Sequence, residues 1–472
     1  MLRALQVFTA RRGNLSRRSL SLTLAVAGTA LAGLLVILSL GAGADDAELR
    51  TWALVVLAIT LFATHVLPEH VTALTIMLLA VLGEVAPTAV IFSGFEVGAL
   101  WLLFSGIIIG NSVQEAGLGV LLARRLLGLW RLSLARAIVL LVVIAALLGF
   151  LVPATIPRII LLMPIALGIA EAMELRPGSK GYTGLAIAVG AGTFFPDFAI
   201  VTANLPAVVH VGAIESIYGV AISYGQYLFY HLPVTGIFRA LVLVAAILLL
   251  FRQPAREVAD IKAEPMNPRQ RRLAAVLVLA LILWMTDVFH GVHPAWVAMG
   301  AAVVILWPAM QLISPTAFKD KINFAPVLYI AGILSIGAIM IHNGLDETVS
   351  AFALTFVDLG VTSDFLNLYL VTALSSAICM VTTAPAAPIL LVPIAGDISA
   401  VTGLPLSGVL MAELVGFTTM LLPYQGPPLI VMLSLCEVRV LDLVKVCLIL
   451  AAAMFLVGVP LTYLWWKAIG LL

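Results

Sequence analysis

Long apolar segments alternate with short polar loops along most of the chain. A membrane-spanning helix needs about 20 predominantly apolar residues, and many segments come close to that length. They lie at 20–41, 51–67, 70–91, 97–114, 182–222, 226–251, 272–290, 292–311, 325–342, 408–437 and 444–468. The pattern predicts an all-α polytopic membrane protein with about 11 transmembrane helices, because helices satisfy their own backbone groups in lipid.

Two further apolar blocks, at 137–174 and 366–402, are interrupted in the middle by proline and threonine. Proline ends or kinks a helix because it lacks a backbone N–H and clashes with the preceding turn. We therefore predict that each block is a re-entrant hairpin, which enters and leaves the membrane on the same side.

Composition supports lipid as the solvent of the chain. Hydrophobic residues make up 62% of the 472 residues and charged residues 10%, whereas soluble proteins carry about 25% charged residues. The net charge of +1 argues against nucleic acid as a partner. The three cysteines lie in apolar stretches, so they predict neither a disulfide framework nor a metal cluster.

The basic residues of the loops indicate the orientation, because cytoplasmic loops carry an excess of Lys and Arg. With the N-terminus in the cytoplasm, the basic clusters at 124–136, 176–180, 252–272 and 319–321 all fall inside. The stretch 343–367 contains acidic residues but no Lys or Arg, and it falls outside. These loops predict a multi-pass protein of the cell inner membrane with a cytoplasmic N-terminus.

The two halves of the chain resemble each other. Two pairs of segments line up in the same order, LWLLFSGIIIGNSVQEAGL with LYIAGILSIGAIMIHNGL and IILLMPIALGIAEAMEL with PILLVPIAGDISAVTGL. By the predicted orientation the copies are inverted, an arrangement typical of secondary transporters. We predict a cytoplasmic segment with the first helix at 1–50, repeat one at 51–251, a cytoplasmic linker at 252–271 and repeat two at 272–472.

The first apolar run also resembles a signal peptide, because arginines precede it and small residues follow it. It is longer than the roughly 7–15 apolar residues of such a segment. We predict that it is retained as a helix.

Four helix breaks, at 152–158, 202–206, 382–388 and 424–428, occupy equivalent places in the two repeats. Each break combines proline with hydroxyl or amide side chains. The N-terminus of a half-helix offers unpaired N–H groups and a positive dipole end to an anion. The predicted substrate-binding residues are Thr155, Arg158, Asn204, Thr382, Thr383 and Gln425.

Arg158 is the most specific of these candidates, because a charge at membrane depth is costly and usually functional. Its guanidinium can bind a carboxylate or sulfate through two hydrogen bonds. The sequence leaves two other interpretations open: the side chain reaches the cytoplasmic surface, or it pairs with an acid such as Asp197. Asp197 and Glu413 both fall inside apolar spans and are candidates for binding a coupling cation.

Several motifs, in this order, resemble the divalent anion:sodium symporter family (DASS) within the ion transporter superfamily. They are LPEHVTAL, GALWLLFSGIIIGNSVQEAGL, LLMPIALGIAE, WMTDVFHGVHPAWVA, ILLVPIA and GPPLIV followed by LDLVKV. The resemblance covers about residues 51–470. It implies a homodimer, a scaffold and a mobile transport domain in each protomer, and hairpin tips whose Ser-Asn-Thr motifs bind sodium and substrate carboxylates.

This chain departs from the family pattern at both tips, which fall on 154–156 and 383–385. Only Thr155 and Thr383 keep a hydroxyl there, and the resemblance implies that these two residues bind the ion. Asp197 joins them as a predicted ion-binding residue because it is an acid inside an apolar span. Sodium is the coupling ion that the family suggests. Arg158 would alternatively supply the positive charge that sodium otherwise brings, which leaves exchange or proton coupling open.

Together these features predict a secondary active transporter of small anions, such as dicarboxylate or sulfate, that works by alternating access. The acids Asp197 and Glu413 favour the alternative of a cation/proton antiporter or a metalloid-oxyanion exporter of the same superfamily. A membrane-embedded enzyme is the remaining class, but the sequence has no HExxH, GxSxG or P-loop motif. The expected partners are a small anion, the lipid bilayer and a second copy of the chain.

Overall fold

The computed structural model describes residues 23, 25–37, 47–64, 66–258, 264–314, 316–345, 347–349 and 363–472. The predicted N-terminal cytoplasmic segment before residue 23, and parts of the acidic stretch 343–367, lie outside these residues. Within the described part the regular elements are helices, and a single bridge joins Leu132 to Val258.

The longer helices, in chain order, are α1 (Ala25–Ile37), α2 (Ala47–Thr64), α3 (Glu69–Leu82), α4 (Gly98–Ala116), α5 (Leu118–Leu127), α6 (Leu134–Gly149), α7 (Thr155–Ala172), α8 (Lys180–Gly192), α9 (Leu205–Tyr218), α10 (Tyr224–Leu250), α11 (Pro268–Met285), α12 (Pro294–Leu306), α13 (Ala325–His342), α14 (Asp364–Val381), α15 (Ala387–Thr402), α16 (Leu406–Phe417), α17 (Pro427–Leu435) and α18 (Val440–Ala468). Short helical turns lie between these helices, for example at Thr88–Ile91, Ser93–Phe95, Asp287–His290, Pro308–Met310 and Ala317–Asp320.

Six of the described helices, namely α4, α7, α10, α13, α14 and α18, are long and apolar enough to cross a membrane. Several shorter helices are equally apolar. The prediction of an all-α polytopic membrane protein is confirmed. Two predicted segments are not single spans, however. Segment 182–222 is divided into α8 and α9, and segment 408–437 is divided into α16 and α17, because proline at the first turns of α9 and α17 starts a new helix.

The helices group into two compact units. The first comprises Met1–Glu96 and Phe324–Thr355, and the second comprises Val97–Asn323 and Phe356–Leu472. In the first unit α13 packs against α2 and α3. At its end, Asn343 Nδ2 donates to Thr51 Oγ1 at 2.6 Å and to the Val85 carbonyl at 2.9 Å.

The second unit contains both predicted hairpins. In hairpin one, α6 and α7 are joined by a tip at 150–154, and both helices pack on α8. In hairpin two, α14 and α15 are joined by a tip at 382–386, and both pack on α16. The two halves of the chain therefore contain the same local motif. In each half, the two helices of a hairpin pack on the helix that precedes a break.

The halves also match in a feature that the apolar pattern did not predict. A π-helical segment, Leu232–Phe238, interrupts α10, and another, Met454–Gly458, interrupts α18. Both lie near a proline, and a π-bulge accommodates a local interruption of the helical hydrogen bonds. Their equivalent positions support an internal repeat, whereas the boundaries 51–251 and 272–472 stay a prediction.

The half-helices that follow the breaks connect the two halves of the second unit. Helix α9 packs on α15 of hairpin two, and α17 packs on α7 of hairpin one. The Tyr218 hydroxyl, at the end of α9, donates to the Val392 carbonyl at 2.8 Å and accepts from the Gly396 N–H at 2.9 Å. Each break is therefore held between a hairpin of its own half and a hairpin of the other half.

Candidate functional site

The tip of hairpin one begins a helix without a side-chain cap. Ala154 has a φ of 90°, which is rare for a residue with a Cβ, and its side chain has no acceptor for the first N–H groups of α7. Strained backbone of this kind is concentrated at functional sites. The N-terminus of α7, beginning at Thr155, therefore presents N–H groups and a positive dipole end at the tip.

Arg158 lies on the first turn of α7 and is completely buried. Its Nη1 atom forms an ion pair with Asp197 Oδ2, which is also completely buried. Its Nη2 atom donates to the Ala203 carbonyl at 2.6 Å, and its Nε atom donates to the Ala154 carbonyl at 3.2 Å. The sequence left three environments open for Arg158. In the structure Arg158 pairs with Asp197, and its side chain does not reach the surface.

Gly149, the last residue of α6, makes room for this ion pair. A Cβ atom at that position would lie 2.9 Å from both Arg158 Nη1 and Asp197 Oδ1. Contacts of that length are too close for a real Cβ atom. Both arms of hairpin one therefore fit around the pair, and Gly149 is a site residue that the sequence reasoning missed. Its signal was a glycine at the end of an apolar helix directly before a break.

Thr155 and Asn204 bring hydrogen-bonding side chains to the same tip. Thr155 Oγ1 donates to the Ala203 carbonyl at 3.3 Å. Asn204 Oδ1 accepts from the Ala207 N–H at 3.4 Å and so caps α9. Asn204 Nδ2 is buried and has no hydrogen-bond partner among the described residues. The tip thus contains one buried amide donor that is available to a ligand.

The tip of hairpin two is built from backbone groups. Thr382 Oγ1 donates to the Ile378 carbonyl at 2.8 Å, and the Thr383 carbonyl accepts from two N–H groups of the following turn. The Ala384 N–H donates to the Gln425 carbonyl at 2.9 Å. Gln425 Oε1 accepts from two backbone N–H groups of its own break. The structure thus brings Thr382, Thr383 and Gln425 together. The side chains of Thr382 and Gln425 already form hydrogen bonds with the backbone near the two breaks.

The predicted site residues form two clusters, one at each tip. Thr155, Arg158, Asp197 and Asn204 meet at tip one, and Thr382, Thr383 and Gln425 meet at tip two. Helix α17, which starts beside Gln425, packs on α7, which starts at Thr155. The two clusters are therefore connected through these two helices.

A second buried arginine was missed by the sequence reasoning. Arg239 follows the π-helical segment of α10, is almost fully buried, and donates to Thr418 Oγ1 at 3.3 Å and Thr419 Oγ1 at 3.4 Å. Ser376 Oγ of α14 donates to the Thr419 carbonyl at 3.0 Å. The signal was a lone arginine in the middle of an apolar segment. Arg239 therefore fixes the segment that follows α16 and leads to the break at 424–428, next to hairpin two.

A cavity of about 540 Å³ lies beside α7, away from both tips. Gln114, Arg124, Pro164 and Gly168 are among the residues that line it, and none of the predicted site residues does. The predicted site residues are therefore at the two tips and not in this cavity.

Comparison with known proteins gives relatives of the whole chain. The family described as the sodium:sulfate symporter transmembrane region matches residues 19–472. A membrane protein from Cupriavidus necator is 24% identical over 437 residues, covering 84% of this chain and 83% of that protein. An uncharacterized transporter from Haemophilus influenzae is 23% identical over 445 residues, covering 88% of this chain and 91% of that one.

A solved structure shares the fold. The crystal structure of the Alcanivorax borkumensis YdaH transporter, described as having an unusual topology, superposes with a TM-score of 0.52 and 16% sequence identity. It covers 80% of this chain and 87% of that one. The family match extends over nearly the whole sequence and confirms the resemblance seen in the motifs. The protein is a secondary transporter, and the chain belongs to the sodium:sulfate symporter family.

Proposed function

We propose that this protein moves small anions, such as dicarboxylate or sulfate, across the membrane by alternating access. The observation that carries the proposal is the pair of free donors at tip one. The uncapped N-terminus of α7 is held to the Ala203 carbonyl by Thr155 and Arg158. The next residue, Asn204, has an Nδ2 atom that is buried without a partner among the described residues. Helix N-termini and amide N–H groups are what anionic oxygens bind inside proteins.

The charge balance at tip one supports an anion rather than a cation as the substrate. Asp197 is neutralised by Arg158, so the local field is dominated by the helix N-terminus at Thr155. We propose that Thr155 and Asn204 contact the substrate from the first tip. Thr382, Thr383 and Gln425 would contact it from the second tip, where α15 and α17 also begin.

Arg158 then acts by positioning rather than by clamping the substrate. It ties the tip carbonyl of Ala154 to the break carbonyl of Ala203 and to Asp197. Two carbonyl oxygens and a carboxylate are also the kind of ligands that an alkali cation takes. We propose that the guanidinium stands in for a cation at this tip, which leaves Thr383 as the candidate for any sodium contact.

Ligand binding to the purified protein tests the substrate class. A ligand that binds only the native state raises the unfolding temperature, so sulfate and succinate should stabilise the protein more than chloride at equal ionic strength. Asn204→Ser keeps an oxygen to cap α9 but lacks the amide donor, and should lose this stabilisation. Asn111→Ala is the control, because Asn111 Nδ2 only donates within its own helix. Equal stabilisation of wild type and Asn204→Ser would refute the assigned donor.

Membrane setting and assembly complete the proposal. The loop charges support a multi-pass protein of the inner membrane with a cytoplasmic N-terminus, and the family resemblance supports a homodimer. Cysteine labelling that placed Lys180 outside would contradict the orientation. A purified protein that stayed monomeric at all concentrations would contradict the dimer.

A further inference from the structure

Four carboxylic side chains are buried among the described residues: Asp197, Asp287, Glu413 and Asp442. Three of them have partners. Asp197 pairs with Arg158, Asp287 accepts from the Tyr224 and Gly225 N–H groups, and Asp442 pairs with Arg439 and Lys445. Glu413 differs, because neither Oε1 nor Oε2 has a hydrogen-bond partner among these residues.

Glu413 lies on α16, where its side chain is completely buried. An ionised carboxylate without a partner is very unfavourable in an apolar interior, so such a group takes up a proton instead. Ionisable residues inside a membrane usually mark ion or proton pathways, and proton relays in transporters use such carboxyls. Burial without a partner therefore favours the protonated form of Glu413.

The helices packed on α16 are α14, α15 and α9. Their titratable residues are Asp364, Tyr369 and Cys379 on α14, Asp397 on α15, and His210, Glu215 and Tyr218 on α9. His210 contacts α16 directly, with Nε2 at 2.9 Å from the Leu410 carbonyl. From α10, His231 Nε2 lies 3.2 Å from Met411 Sδ, and Arg239 donates to Thr418. Among the described residues, Glu413 takes part in no ion pair.

Glu413 lies on the helix that supports hairpin two. Gly416, one turn further along α16, is so close to α14 that its Cβ would meet Ser375 and the Thr372 carbonyl. Ser375 Oγ is buried and, like the Glu413 oxygens, has no hydrogen-bond partner among the described residues. Glu413 and Gly416 are three residues apart and therefore neighbours on the surface of α16. We expect that a shift of α14 along α16 loosens the packing around Gly416 and lets water approach Glu413.

We propose that Glu413 is the binding site of a coupling proton. It holds the proton while hairpin two is packed on α16, and it releases the proton to water when the hairpin moves. The carboxylic O–H bond breaks, the carboxylate stays on Glu413, and the proton leaves to one side of the membrane. The coupling role rests on the proposed anion transport, since the proton compensates part of the negative charge of the substrate.

Uptake of external radiolabelled sulfate or succinate into proteoliposomes tests the coupling. With the membrane potential clamped at zero, an inward gradient of about one pH unit should drive about tenfold accumulation per coupled proton. Glu413→Gln, a neutral isostere of the protonated acid, should lose this accumulation but keep anion exchange at equal pH. Glu171→Gln on the exposed side of α7 is the control and should behave like wild type.

Proton binding itself can be measured without a substrate. Infrared spectra of the purified protein should show a protonated carboxyl band that is absent in Glu413→Gln and present in Glu171→Gln. If neither anion is exchanged by wild type, the proposed substrate class fails, and the infrared band still decides whether Glu413 holds a proton. An unchanged band, or proton-driven accumulation retained in Glu413→Gln, would overturn the inference. So would accumulation driven by sodium and not by protons.

Discussion

Arg158 and Asp197 are 39 residues apart in the chain and form an ion pair in which both side chains are completely buried. The pair joins the tip of hairpin one to the segment between α8 and α9, in which Asp197 lies. A buried ion pair adds little net stability over apolar packing, but loss of one partner leaves an uncompensated charge. The pair therefore fixes the position of the tip and makes each residue dependent on the other.

Removal of one member of the pair should destabilise the protein strongly. Arg158→Met and Asp197→Leu should each lower the free energy of unfolding by about 3–5 kcal/mol, because the remaining charge is buried without a partner. The double variant should be less destabilised than either single variant. Denaturation in detergent measures this, and Arg256→Ala, which breaks an exposed pair with Glu174, should change stability by less than about 1 kcal/mol. Additive losses in the double variant would show that the two residues act independently.

Gly149→Ala should disturb the same ion pair from the other arm of the hairpin. The added Cβ would lie 2.9 Å from both charged side chains, which hold each other in place. Overpacking of this kind costs typically about 1–3 kcal/mol. Gly168→Ala is the matched control, because a Cβ there meets nothing within 4 Å. If unfolding curves gave the same stability for Gly149→Ala and Gly168→Ala, they would contradict the close approach of α6 to the ion pair.

Asn204→Asp separates the capping role of this residue from its donor role. The carboxylate keeps the oxygen that caps α9, so the protein should fold. It replaces the free amide donor with a negative charge, so anion binding should weaken at least as much as in Asn204→Ser. A lost hydrogen bond to a charged ligand is worth about 1.5–3 kcal/mol, which is roughly a ten- to hundredfold loss of affinity. Unchanged affinity for sulfate and succinate would remove Asn204 from the site.

Tyr218→Phe should loosen the contact between the half-helix α9 and hairpin two. The hydroxyl accepts from Gly396 and donates to the Val392 carbonyl, so its loss removes this partner from two partly buried backbone groups. The expected cost is about 1–3 kcal/mol. Tyr463→Phe, which loses only an exposed contact with Lys467, is the control. The comparison uses thermal unfolding, and equal midpoints would show that the hydroxyl does not hold the two elements together.

Much of the fold follows from local sequence features. Prolines and threonines interrupt otherwise apolar blocks, so the breaks at 152–158 and 382–388 could be predicted, and the structure has both hairpins. The repeat was visible because equivalent breaks recur in the same order. Such features depend on neighbours in the chain, which is why the sequence reveals them.

The partners of individual side chains could not be predicted in the same way. The sequence allowed three environments for Arg158. Only the packing of α6 and α7 against the segment before α9 determines that Asp197 is its partner. That Glu413 has no partner among the described residues likewise depends on the side chains of the three helices packed on α16. The π-helical segment Leu232–Phe238 contains Pro233, but a proline in an apolar segment does not by itself distinguish a π-bulge from a kink or a break.

The central claim, carrier-mediated transport of a small anion, is tested most directly by counterflow. Proteoliposomes containing the purified protein are loaded with unlabelled sulfate or succinate and diluted into a trace of the same labelled anion, without any ion gradient. An alternating-access carrier should take up the label transiently, and uptake should be lost in Asn204→Asp and retained in Asn111→Ala. Label that enters no faster than into protein-free liposomes, for both anions, would contradict the account.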